Sequence, residues 1–223
     1  MLVGSVVFAF YAMKKKENKM QESILFFIAI VSAFAYYYMW SGYGVTEKID
    51  SAGKQRLVFF ARYFDRFFST PLLLYSISLV ANAENGEILM LFGLDLLMVF
   101  SSFVGATQLH PLKWIWWTLG VVFFLLICFQ VFTLYGKARE AGNASADGLK
   151  ILVLMVLISW CVYPIVWVLG EEGLEAINVN AEVAFVVLAD LVSKIGYGLY
   201  LIFAVLPSSE EEGEGGQEKT SLV

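Results

Sequence analysis

"FVVLADLVSKIGYGLYLIF" (residues 185–203) is apolar enough and long enough to lie in a bilayer, yet it carries Asp190 and Lys194 near its middle. About 20 apolar residues cross the hydrocarbon as a helix, and ionisable side chains inside such a segment are costly and mark function. The two charges are four positions apart, so a helix places them on one face. A buried ion pair adds little to stability, because desolvation offsets the attraction. Taken alone, the pair reads either as a packing device or as part of a site.

The rest of the chain follows from that segment. Of its 223 residues, 59% are hydrophobic and only 16% charged, a balance that excludes a soluble domain and points to an integral membrane protein. Five further stretches are long and apolar enough to span: 22–44, 57–82, 87–107, 113–135 and 149–170, with 182–206 as the last. Lipid leaves open backbone groups unsatisfied, so these are expected to be helices. "LVGSVVFAFYAM" (2–13) adds a helix half the usual length, short or truncated, giving seven in all. Its basic cluster "KKKENK" (14–19) follows the apolar run, the wrong order for a signal peptide. Residues 1–206 thus form one membrane domain. The stretch 207–223, with five glutamates in "SSEEEGEGGQE" and no base among them, reads as a disordered acidic tail.

The basic residues set an orientation. Placing Lys14, Lys15, Lys16 and Lys19 in the cytoplasm puts Lys137, Arg139 and Lys150 on the same side. The N-terminus is then outside and the tail cytoplasmic. The sequon at 143–145 faces the cytosol and is expected to stay unmodified. Cys128 and Cys161 lie in apolar runs and read as small hydrophobes, and His110, beside Pro111, as a loop residue. No metal-ligand cluster is read, and no basic aromatic patch suggests nucleic acid.

A second polar stripe sits in "ARYFDRFFSTPLLL" (61–74). Arg62, Asp65 and Ser69 recur at helical spacing, with Arg66 beside them, and Asp95 interrupts the next helix. A second carboxylate, a cation and a hydroxyl facing the same interior turn a lone pair into a site. Desolvation favours the neutral amine of a buried lysine, which condenses with an aldehyde to a Schiff base. Asp190 and Asp65 are placed to keep the resulting cation company.

These segments resemble the microbial (type I) rhodopsins, the bacteriorhodopsin-like family. "ARYFDRFFSTPLLL" is similar to the third-helix signature of that family, "WCVYPIVW" (160–167) to the sixth and "LADLVSKIGYGL" (188–199) to the seventh. "SGYG" (41–44), "GLDLLM" (93–98) and "WW" (116–117) fit the second, fourth and fifth helices, so the likeness covers roughly 20–205. The resemblance implies retinal bound covalently to Lys194 as a Schiff base. It implies Asp65 as primary counterion and proton acceptor, Asp190 as second counterion and Arg62 just outside them. Glu172 and Glu182 would be the outer proton-release acids. Tyr36, Ser69, Thr70, Asp95, Met98, Ser102, Trp117, Phe124, Trp160, Tyr163 and Trp167, with Arg66, would surround the chromophore.

Two departures stand out. Ser76 occupies the position where related pumps hold a cytoplasmic carboxylate donor, which predicts slow, pH-dependent reprotonation. Arg66 replaces a tryptophan, and an ion pair with Asp95 is expected to neutralise it. The function implied is a light-driven outward proton pump rather than an enzyme. A sensory rhodopsin is the alternative, and a light-gated channel the more distant one. Ser69 and Ser76 beside Asp65 do not resemble the triplets of sodium or chloride pumps. The partners implied are lipid and protons, with a homo-oligomer possible, and a transducer protein if the role is sensory.

Overall fold

The computed structural model describes residues 1–14, 19–49 and 55–206. The tail expected at 207–223, together with Lys15 and Lys16, lies outside the described residues. Among the described residues seven helices run in order: α1 (Leu2–Lys14), α2 (Met20–Trp40), α3 (Phe60–Val80), α4 (Asn85–Thr107), α5 (Leu112–Glu140), α6 (Ala146–Leu169) and α7 (Val179–Val205). Five of them, α2 and α4 to α7, are long and apolar enough to cross a membrane by length and composition. α1 is too short for that test, and Arg62, Asp65 and Arg66 make α3 the polar exception.

Each helix packs on its neighbours in sequence, and α7 closes the bundle against α2 and α1. The closure needs Gly198. A Cβ there would stand 2.5 Å from the ring of Phe8, a fully buried α1 side chain. Small residues allow such close approach where lipid provides no hydrophobic drive between helices. The outward faces carry Phe129, Ile158 and Phe185, apolar side chains suited to acyl chains. Cys161 also faces outward and Cys128 is half-buried; both are free.

Two features differ from the sequence reading. The segment after α2 is a hairpin, with β1 (Thr46–Ile49) antiparallel to β2 (Gln55–Val58) and Lys48 opposite Arg56. The third helix therefore starts at Phe60 instead of 57. Val58 is apolar because it packs with Tyr63 and Ala106 in a small satellite cluster, and apolarity alone does not separate strand from helix over so few residues.

The second difference lies in α7. It is α-helical over Val179–Asp190, π-helical over Leu191–Gly196, and π-helical again over Leu201–Val205. Single-turn π segments inside α-helices gather at functional positions, and the first of these contains Lys194.

Candidate functional site

α3 delivers one stripe to the interior. Arg62, Asp65, Ser69, Thr70 and Ser76 are buried, while Phe64, Phe67 and Phe68 face outward. α7 delivers Glu182, Asp190, Ser193 and Lys194 to the same space. Lys194, 2% exposed, ion-pairs with Asp65 through its Oδ2 and stands 3.3 Å from Asp190 Oδ1. Its Nζ also donates to Ser32 Oγ at 2.9 Å, and Ser32 in turn donates to Asp65 Oδ1 at 2.7 Å. Asp190 receives two phenols, Tyr36 at 2.5 Å on Oδ2 and Tyr163 at 2.6 Å on Oδ1. Those donors suit a carboxylate, which only accepts. The buried cluster thus holds two acids around one amine.

Toward the hairpin end, Arg62 ion-pairs with Glu182 Oε1 and lies 4.1 Å over the Phe59 ring. Glu182 Oε2 accepts the Glu171 N–H at 3.0 Å. Glu172, in the turn between α6 and α7, is 2% exposed. Burial, and then the charge of Glu182, pushes its carboxyl up to about 7. Two cations brace that turn from outside. Arg56 donates to the carbonyls of Glu172 and Ala106 at 2.9 and 2.8 Å, and Lys113 to those of Glu172 and Gly173 at 3.0 and 2.7 Å.

Beside the Lys194 cluster lies a cavity between α3, α4, α5 and α6. Of the residues expected around a chromophore, Arg66, Thr70, Met98, Ser102, Trp117, Phe124, Trp160, Tyr163 and Trp167 line it, joined by Tyr63, Val99, Gly120, Val121 and Pro164. Tyr36, Ser69 and Asp95 do not line it. Tyr36 points to Asp190, Ser69 is buried with no hydrogen-bond partner for its Oγ among the described residues, and Asp95 is buried behind Thr70. The cavity wall is predominantly apolar and aromatic. Trp117 Nε1 donates to the Pro164 carbonyl at 3.2 Å, and the Trp117 and Trp167 rings lie 6.4 Å apart. Tyr163 belongs both to this wall and to the Asp190 cluster. The wall suits an elongated apolar polyene; Lys194 does not line the cavity but adjoins it through Asp190 and Tyr163, and among the described residues Arg66 is the one charged member of the wall.

The expected ion pair between Arg66 and Asp95 does not form. Thr70 donates to Asp95 Oδ2 at 2.8 Å and contacts the Arg66 backbone carbonyl at 2.7 Å, while Asp95 Oδ1 has no hydrogen-bond partner among the described residues. The Arg66 guanidinium turns instead to α6 and lies 4.1 Å over the Tyr163 ring.

Three partners escaped the sequence reading. Ser32 bridges Lys194 and Asp65, and its place on α2 four residues before Tyr36 was its only signal. Gln21 and Tyr197 close on Ser76 in the opposite half of the bundle. Ser76 Oγ donates to Gln21 Oε1 at 2.6 Å and lies 2.8 Å from the Tyr197 hydroxyl. Glu22, also buried, follows Gln21 in the first turn of α2.

The family profile described as bacteriorhodopsin-like protein matches residues 1–207. Bacteriorhodopsin of Halobacterium salinarum is 33% identical over 195 residues, covering 83% of this chain and 73% of its own. Archaerhodopsin-1 of Halorubrum ezzemoulense is 31% identical over 206 residues, covering 91% and 79%. Among solved structures, the light-driven proton pump rhodopsin of Coccomyxa subellipsoidea superposes with a TM-score of 0.87 at 27% identity, covering 91% of each chain. The light-driven proton pump of Leptosphaeria maculans gives 0.84 at 27%, covering 90% and 88%. With these likenesses over nearly its whole described length, the chain belongs to the bacteriorhodopsin-like family of multi-pass membrane proteins, the microbial rhodopsins, a class of retinal photoreceptors and ion pumps.

Proposed function

We propose that this protein binds retinal through Lys194 and uses light to move protons outward, with slow reprotonation from the cytoplasmic side. The hairpin end is then outside and the tail cytoplasmic. The observation that carries the reading is the direct contact of Asp65 with Lys194, continued toward the hairpin end by Arg62, Glu182 and Glu172. Retinal held at Lys194 would supply absorption of visible light and a light-driven change in the proton affinity of the Lys194 nitrogen. Asp65 accepts the proton from that nitrogen. Tyr36 and Tyr163 hold Asp190 as a fixed anion, so it steers the transfer without taking part. Displacing positive charge toward Asp65 favours ionisation of acids further out. Glu172 is the acid placed to lose a proton there.

The pH dependence follows from its raised carboxyl. Below about 7 Glu172 holds a proton and has one to release; above that it is already ionised. The early fraction of flash-induced proton release, followed with a pH-indicating dye, is expected to fall as pH rises through about 7. Glu172→Gln is expected to abolish it at every pH. An early fraction that persists well above that midpoint would remove Glu172 from this role.

Recovery is limited on the other side. Ser76 lies 11 residues beyond Asp65, about 16 Å along α3, and its hydroxyl is tied to Gln21 and Tyr197. A serine has no proton of suitable acidity to give. Ser76→Asp is expected to shorten the return to the dark state by on the order of 10²-fold, as a positioned general acid does. Added azide is expected to accelerate the unsubstituted protein and leave Ser76→Asp nearly unchanged. Flash photolysis reads both.

The deciding experiment is illumination of cells or vesicles in unbuffered salt. Outward acidification abolished by a protonophore is expected. Passive currents that reverse with voltage would identify a channel. A coloured pigment giving neither response would favour the sensory role and overturn the pump.

A further inference from the structure

Arg66 brings a positive charge to the cavity wall, yet among the described residues its side chain has neither a hydrogen bond nor an ion pair; its contacts are with aromatic faces, Tyr163 at 4.1 Å and Tyr63 at 5.8 Å. The neighbouring cluster has the opposite imbalance, with Asp65 and Asp190 sharing Lys194. Arg62 is committed to Glu182, further out. Arg66 lies within electrostatic reach of both Asp190 and Asp65. A single ring joins surplus and deficit. The Tyr163 face carries Arg66, and the Tyr163 hydroxyl donates to Asp190 Oδ1 at 2.6 Å.

We propose that Arg66 is a positioning residue for this cluster: stacked on Tyr163, it supplies through that ring the positive charge the Asp65–Lys194–Asp190 triad lacks, and so holds Asp190 as an anion. A cation on an aromatic face draws electron density from the ring. A phenol so polarised donates more strongly, and in a low-dielectric interior the linked bonds reinforce one another. The groups facing Asp190 are Tyr36 from α2, Asp65 and Arg66 from α3, Tyr163 from α6 and Lys194 from α7. Only Arg66 offers a positive charge not already shared. The arrangement leaves Arg62 free to serve Glu182. Its consequence for transport rests on the proposed function: of two acids touching Lys194, only Asp65 then changes protonation. The charge arrangement itself is present with the free lysine amine.

Infrared spectra of full-length protein with carbon-13 aspartate carboxyls test this both without retinal and after reconstitution. At neutral pH the unsubstituted protein is expected to show no protonated-carboxyl band from Asp190. Arg66→Gln is expected to bring that band from below detection to the larger share of molecules, identified by its loss when Asp190→Asn is added. Arg66→Lys, which keeps a cation over the ring, is expected to remove it again. Arg66→Met serves if the glutamine variant does not fold. An unchanged carboxyl spectrum on neutralising Arg66 overturns the proposal. So do spectra that respond to halide only when Arg66 is present, since the partner is then a mobile anion. If retinal gives no colour, the proposed function fails, while the spectra of the retinal-free protein still decide the role of Arg66.

Discussion

Lys194→Arg is expected to yield a folded protein that stays colourless when retinal is added. The guanidinium keeps the positive charge that Asp65 and Asp190 surround and retains donors for Ser32, but it does not condense with an aldehyde. Alanine is the weaker test. It leaves two buried carboxylates without their cation, and breaking a buried pair costs about 3–5 kcal/mol, enough to confuse loss of binding with loss of fold. The measurement is visible absorption after adding retinal to membranes, with helical content and monodispersity confirming that the variant is intact. A surviving visible band in folded Lys194→Arg would mean that the chromophore, if any, is attached elsewhere, and the whole assignment of Asp65 and Asp190 would go with it.

The residues that make this prediction sharp were legible to different degrees. Hydrophobic runs and helical spacing located seven helices and put Asp190 with Lys194 and Arg62 with Asp65 on common faces, because each property belongs to one segment. They did not show the π-helical winding at Leu191–Gly196, which no composition encodes. Nor did they show Ser32, since one hydroxyl in an apolar helix carries no pattern until its partners on α3 and α7 are placed. The β1–β2 hairpin was hidden by its four-residue strands. Arg66 is the instructive case. The need to neutralise it, with Asp95 expected beside Thr70 one turn away, suggested a pair, but a long side chain chooses among directions. The guanidinium lies over the Tyr163 ring, and Asp95 keeps Thr70 on Oδ2 while its Oδ1 has no hydrogen-bond partner among the described residues. Sequence fixes which face a residue shares. Which neighbour across the bundle it reaches depends on its rotamer and on the other surfaces, here an aromatic face, within its reach.

Asp65→Asn is expected to stop outward transport while leaving a coloured pigment. The amide is nearly the same size as the carboxylate, and its oxygen can still accept from Ser32, as Asp65 Oδ1 does at 2.7 Å. Lys194 keeps Asp190 at 3.3 Å, so the cation is not stranded. What disappears is, of the two carboxylates in contact with Lys194, the one that holds no phenol. Asp190 holds two such donors, and its acceptance of the proton would require giving up at least one of them. A positioned proton acceptor contributes about 10²–10⁴-fold to a transfer, so light-driven acidification per coloured molecule is expected to fall by at least 10²-fold. Absorption should move to longer wavelength, because an anion beside the lysine nitrogen stabilises positive charge there in the ground state more than after excitation draws it away. Asp190→Asn provides the contrast: Tyr36 and Tyr163 lose their common acceptor, so altered colour and slower transport are expected, but Asp65 still receives the proton. Equal loss in both variants would make the two aspartates a shared acceptor. Acidification by Asp65→Asn within a few-fold of the unsubstituted protein would remove Asp65 from the path altogether.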